Sequence, residues 1–237
     1  QYVQNDRTIE WPYLIPFLPF PFVEHYIGDR DNSALSFDLT IFFPQGWRWY
    51  GEFFLDDMLN PWKIFTDDMG NKWGLTIGVN YFGRVFKRDF TFIAEYSRVE
   101  PWVYTHFCGG SHRYSHFNVC LGSPLGPNSQ GAVVKALLQV AKYYEIGIGI
   151  IHTAYNRNVR GGEITDIFQL ENPENPEQYH DSMKKRFLGE GTEWSLQPTI
   201  YWNFNMFGIF ELTSLVGVEV LDKMGDFRFC ISGGLYF

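Results

Sequence analysis

Residues 34–57 read ALSFDLTIFF, then PQG, then WRWYGEFFLDD, and the two flanking segments alternate with a period of two. Leu35, Phe37, Leu39, Ile41 and Phe43 share one face, and Ser36, Asp38 and Thr40 share the other. Past the turn, Trp47, Trp49, Gly51, Phe53 and Leu55 alternate with Arg48, Tyr50, Glu52 and Asp56. Such alternation is the signature of a strand with one apolar and one polar face. It returns in 72–83, 89–99, 132–142, 145–156 and 194–203, and in the closing DFRFCISGGLYF of 226–237. Segment 206–220 is less regular and predicts a bulge near Ser214. Most of these strands are longer than the 5–6 residues typical of soluble sheets and match the roughly 9–11 that a tilted bilayer-crossing strand needs.

The connections sort by length. Turns at 44–46, 84–88 and 204–205 are short, and 132–142 meets 145–156 almost directly. Loops 58–71, 100–131 and 157–191 are long, and only 221–225 is a short link where the alternation calls for a long one. Outer-membrane barrels have short turns on one side and long loops on the other. The expected fold is therefore all-β, an antiparallel transmembrane β-barrel of outer-membrane type with about nine or ten strands in this chain. An odd count predicts either a tenth strand within 8–25 or further strands ahead of Gln1, the second being favoured, so that these strands form part of a larger barrel. Residues 1–33 contain Pro12, Pro16, Pro19 and Pro21. Proline removes ladder donors, so this segment is expected to be an extracellular loop or plug, with the barrel strands in 34–237. A soluble antiparallel sheet with one solvated face is the other reading of the same pattern.

Composition bounds the function. The chain has 237 residues and is 19% aromatic, with 23 Phe, 14 Tyr and 8 Trp, more than a soluble core of this size uses. Interfacial girdles and carbohydrate stacking are two physical uses for that excess. The net charge of -8 argues against nucleic acid. No apolar run is long enough for a transmembrane helix. Gln1 follows no basic leader, which predicts a targeting segment already removed. Leu35, Leu39, Ile77, Leu138, Ile148 and Leu235 are expected to face lipid, and Trp47, Trp73, Trp194 and Trp202 to lie at the interfaces. The charges Asp38, Arg48, Glu52, Asp56, Glu95, Lys135, Glu211, Glu219 and Arg228 fall on the opposite, lumen-facing side.

Loop 100–131 concentrates the chemistry. Its Trp102, Tyr104, His106, His112, Tyr114 and His116 are expected to form a glycan-binding surface, rings stacking on sugar faces while the imidazoles bond hydroxyls. The loop is expected to fold inward, to anchor on Glu95, Arg48 and Arg228, and to present these side chains toward the outer opening. Cys108 and Cys120 lie in it and either pair or remain free thiols. The His and Cys spacing matches no zinc pattern. Asp56, Asp57, Asp67 and Asp68 flank loop 58–71 without a twelve-residue calcium loop. No metal or cofactor is expected. Glu52, Asp56 and Glu95 offer a carboxylate pair for glycoside hydrolysis, but no nucleophile elbow, phosphate loop or zincin motif accompanies them, and a non-enzymatic role is expected. Residues 177–187 predict a short helix carrying Lys184, Lys185 and Arg186, suited to anionic lipopolysaccharide or capsule.

Four strings, YGEFFLDDM at 50–58, FIAEYSRVEPWVYTH at 92–106, YSH at 114–116 and LGSPLGPNS at 121–129, resemble the capsule-assembly Wzi-like outer-membrane family, most closely its Bacteroidetes-type relatives. The resemblance runs over roughly 11–237 and corresponds to the C-terminal portion of that family's barrel. It implies a barrel in the bacterial outer membrane that binds surface polysaccharide and helps hold capsule on the cell. The partners it implies are outer-membrane lipid or lipopolysaccharide, the polysaccharide itself and other envelope proteins. Terminal Phe237 resembles the bacterial barrel-assembly signal. A porin-like channel for small solutes and a structural subunit of a larger envelope complex are the alternative functions.

Overall fold

A computed structural model describes residues 2–3, 11–15, 23, 32–58, 60–105, 114–116, 119–166, 184–206, 210–221 and 225–235, with side-chain detail through most of these up to 204. Nine strands form one antiparallel sheet: β1 Leu35–Phe43, β2 Trp47–Asp57, β3 Lys72–Val85, β4 Arg88–Val99, β5 Ser129–Ala141, β6 Tyr144–Tyr155, β7 Glu193–Met206, β8 Phe210–Leu221 and β9 Gly225–Leu235. Each strand pairs with its sequence neighbours, so the sheet is a meander with β1 and β9 as its edges. The all-β antiparallel expectation holds, and the strand bounds agree with the alternation to within a few residues. The sheet is open among the described residues, because β1 and β9 are not paired.

The register carries the alternation across the whole sheet. On one face, Ile41, Trp49, Val79, Ala94, Val134, Ile150 and Pro198 stand side by side on seven consecutive strands. Among the described residues nothing packs against the middle of this apolar face: Phe37, Leu39, Ile148 and Ile200 are 60–68% exposed. Leu35, Leu39, Ile77, Leu138 and Ile148 all lie on it. Pro198 has no N–H to donate, and it falls where the β7–β8 pairing lapses between Leu196↔Val220 and Thr199↔Gly217. Rings gather at the short-turn edge, with Trp47 against Tyr81 at 4.8 Å and Tyr144 against Phe204 at 4.8 Å. Trp202 is also toward that edge of its strand, whereas Trp73 and Trp194 lie toward the long-loop edge.

Two expectations about local geometry are corrected. Ser214 pairs in register with Trp202 and Ile231, so no bulge occurs there. The bulges fall between Leu55 and Asp57, making Asp56 the extra residue, and between Tyr144 and Glu145. Lys184–Phe187 is not helical; Lys184 bridges to Asp68, and 177–183 lie outside the described residues. Within 1–33, Trp11–Leu14 is a single 3-10 turn and Tyr2–Val3 pairs with Asn32–Ser33, while most of 8–25 lies outside the description.

Most of the buried apolar residues gather where the long loops meet the ends of the strands. Met69, Val99, Trp102, Val103 and Tyr104 are buried at the long-loop edge. Three fully buried asparagines tie the loops there. Asn71 Nδ2 donates to the carbonyl of Lys63 and the hydroxyl of Thr66. Asn128 Nδ2 donates to the Asn156 carbonyl at 3.0 Å, and Asn156 Nδ2 donates to the carbonyls of Leu188 and Glu190. Buried backbone groups need partners, and in long loops these amides supply them.

Candidate functional site

The polar face is organised in register rows. Arg48, Asn80, Ile93, Lys135, Gly149 and Thr199 form one row, which continues through Gly217 to Arg228. The next row toward the long loops holds Tyr50, Gly78, Glu95, Val133 and Ile151, and the one after it holds Asp38, Glu52, Thr76, Ser97, Gly131 and Thr153. The expected lumen charges Arg48, Glu52, Glu95, Lys135 and Arg228 thus share one face, cations in one row and carboxylates in the two above it. Tyr50 reaches across β3 to donate to Glu95 Oε2 at 2.6 Å. Its ring lies over Gly78, where a Cβ would fall 2.3 Å from it, so only glycine lets the phenol pass. Glu52 accepts from Ser36 at 2.8 Å, Thr76 bonds Ser97 at 3.0 Å, and Thr153 bonds Ser195 at 2.7 Å.

Of loop 100–131, the described residues Tyr104, Tyr114 and 121–125 lie over this face, and their anchor is not the expected one. Tyr104 N–H donates to Asp56 Oδ2 at 2.8 Å. The bulge at Asp56 interrupts the ladder there, and bulges characteristically re-aim a side chain in this way. Among the described residues, Glu95 accepts from Tyr50 and the Arg48 guanidinium lies 5.0 Å from the centre of the Tyr50 ring, and no bond from either to the loop is seen. Tyr104 stacks on Tyr114 at 5.5 Å, both rings pack on Phe54, and the Tyr104 hydroxyl accepts from Ser123 N–H. Burial pushes the Tyr104 and Tyr114 phenols and the Cys120 thiol up from their ordinary values. Trp102 and Tyr104 have φ of +69° and +71°, a left-handed conformation that costs non-glycine residues on the order of 1–3 kcal/mol each.

The expected outward presentation of Trp102 and Tyr104 is corrected. Both are 3% exposed, Trp102 held through its N–H to the Gly161 carbonyl at 2.9 Å and packed on Gly161, whose φ is +80°. Stacking on a ligand needs an exposed ring, so Trp102 serves the fold of the loop, and Tyr104, although it borders the pocket on this face, is covered chiefly by Phe54 and Tyr114. Tyr114 is half-buried. His106 and His112 lie outside the described residues, as do Cys108, Phe237 and the side chain of His116.

Between the covering loop and the polar face lies a pocket of about 530 Å³. Glu52, Thr76, Glu95 and Ser97 line it from the strands, and Tyr104 and Tyr114 with 121–125 line it from the loop. Apart from Tyr104 and Tyr114 these residues are not among the ring and histidine positions that mark the loop in the sequence. Their signal was the polar half of the strand alternation.

The other long loops pack at the same edge but on the apolar side. Phe65 contacts Phe53 and Trp73. Glu100, 3% exposed at its side chain, is bonded by Arg98 at 2.6 Å and by Lys185 at 2.7 Å. Arg98 also lies 3.7 Å from the Phe187 ring centre. Burial pushes the Lys185 ammonium down, and Glu100 opposes the shift. Lys184 pairs with Asp67 and Asp68. That hydrogen bond, chiefly, holds the Asp68 carboxyl below its usual range and raises the Lys184 ammonium. Asp57 pairs with Lys72 at 3.4 Å. The four aspartates considered for calcium therefore each have a protein partner, and two of the three basic residues expected to face anionic glycan or lipid are spent within the chain.

No protein-family model, curated protein or solved structure matches this chain.

Proposed function

We propose that this chain is the strand-and-loop wall of an outer-membrane β-barrel that binds or anchors surface polysaccharide without catalysing a reaction on it. The observation that carries the reading is the pairing of an apolar, exposed face across the strands with a polar face roofed by a long loop. An exposed face of this extent is an aggregation hazard in water and the ordinary outer surface of a barrel in lipid. The polar side supports a wet lumen. It carries Arg48, Glu52, Glu95 and Lys135, charges that are expensive in a dry core and cheap beside water. Rings at the short-turn edge fit an interfacial girdle.

The glycan part of the reading rests on the resemblance to the Wzi-like family and on the pocket chemistry: hydroxyls, carboxylates and tyrosine rings are what sugar recognition uses. The roof over the polar face favours this over a freely conducting porin. The test is reconstitution in lipid vesicles carrying brominated acyl chains, followed by titration with surface polysaccharide. Quenching of Trp47, Trp49 and Trp202 together with saturable glycan binding is expected. Absence of quenching refutes the membrane assignment, and quenching without binding refutes the glycan role.

A further inference from the structure

We infer that the pocket under loop 100–128 is the saccharide site and that its charge selects non-acidic glycan, holding amine-bearing sugars most tightly and rejecting uronic acids. This rests on the polysaccharide-binding reading and narrows it to one place and one ligand class. The volume of about 530 Å³ lies within the roughly 300–1,000 Å³ of small-ligand sites and accommodates a short oligosaccharide. It has two walls of different chemistry. The strand wall offers the Thr76 and Ser97 hydroxyls with the carboxylates of Glu52 and Glu95, and the loop wall offers the Tyr114 ring.

The acidic groups facing the space are Glu52 and Glu95. Among the described residues each spends one oxygen on a partner, Glu52 on Ser36 and Glu95 on Tyr50, and neither is met by a cation. The cations of this face are one row farther from the loops, with Arg48 against Tyr50 and Lys135 4.0 Å from the Tyr201 ring centre. Arg98 and His152 also line the pocket, but the Arg98 guanidinium is committed to Glu100 and His152 Nδ1 lies 3.1 Å from the Ser195 carbonyl oxygen. A uronate entering the site would bring a third carboxylate beside two uncompensated ones in a half-enclosed space. Like charges placed together are a device for rejecting a wrong partner. A protonated amine reverses the sign of the same interaction.

Full-length protein in lipid vesicles is titrated by calorimetry at about pH 6, where the chitosan amines are largely protonated, with three probes of equal length: a chitosan tetrasaccharide, a neutral glucan tetrasaccharide and tetragalacturonate. The expected order is chitosan, then glucan, with galacturonate weaker than glucan by about tenfold or more. Glu52→Gln and Glu95→Gln, which keep shape and a hydrogen-bonding oxygen, are expected to shrink the gap between chitosan and galacturonate. Tyr114→Ala is expected to weaken chitosan and glucan alike without changing their order. Galacturonate binding as tightly as glucan overturns the charge selection and leaves the polysaccharide role standing. Saccharide binding that none of the three substitutions alters overturns the location alone. No binding of any probe or of surface polysaccharide overturns both readings.

Discussion

At the scale of single residues, the consequences of burial differ by face. Ile148 is 68% exposed in the middle of the apolar face. In a bilayer that exposure is lipid contact, and Ile148→Arg is expected to cost about 2–4 kcal/mol if the residue lies near the midplane. Urea unfolding from vesicles measures it, with Thr91→Arg on the polar face as the comparison, expected to cost much less. A negligible cost at Ile148 would remove the lipid assignment. The buried asparagines make a second case. Asn156→Ala leaves the Leu188 and Glu190 carbonyls without their donor, and each stranded buried group costs about 1–3 kcal/mol. The loss is local to the long-loop edge. Limited proteolysis should therefore cut 157–192 faster in Asn156→Ala, while strand content by circular dichroism is unchanged.

At the scale of elements, the loops are locked by ion pairs of two kinds. Glu100 is buried between Arg98 and Lys185, and removing one member of such a group costs on the order of 3–5 kcal/mol because a buried charge is stranded. Glu100→Gln strands two cations and Lys185→Met strands none, since Arg98 still compensates Glu100. Thermal melting of the near-ultraviolet aromatic signal should rank Glu100→Gln as the more damaging. The Lys184 clamp on Asp67 and Asp68 is exposed and acts through pH. A carboxyl whose folded value is depressed stabilises above its unfolded value of about 3.9 and loses that contribution as pH falls through the folded value. Cross-linking between 184 and loop 58–71 is thus expected to be constant from neutral pH to about 4 and to fall only below it. These locks also mark where sequence reading ends. Alternation in 34–57 or 145–156 reports which face a residue occupies, because the strand period is local, so strand bounds and the shared polar face of Arg48, Glu52, Glu95 and Lys135 were legible. The partners of Asp56, Asn128 and Lys185 are set by contacts across dozens of residues. Nothing local distinguishes an Asp that anchors a loop from one that faces solvent. Trp102 and Tyr104 misled for a related reason: ring-rich loops read as ligand surfaces, whereas here the rings fill the core that the one-layer sheet does not supply.

At the scale of the whole molecule, the open edges decide what the sheet can become. A meander alternates direction, so β1 and β9, both odd in order, run the same way. Direct closure of these nine strands would need a parallel β1–β9 seam, and barrels of bacterial outer membranes close with even numbers of antiparallel strands. Leaving the edges unpaired is not an option in hydrocarbon, where backbone groups find no water. In the proposed bilayer setting, the wall is therefore completed by strands other than these nine. Paired cysteines test this in a background where Cys108, Cys120 and Cys230 are serine. Leu39→Cys with Gly51→Cys, directly opposite across β1–β2, should cross-link under oxidation. Leu39→Cys combined in turn with cysteine at Phe227, Phe229 or Ile231 of β9 should not form an intramolecular bridge. A bridge in the β9 series as efficient as the β1–β2 control would mean that the sheet closes on itself through a parallel seam, and the argument for a larger wall would fail.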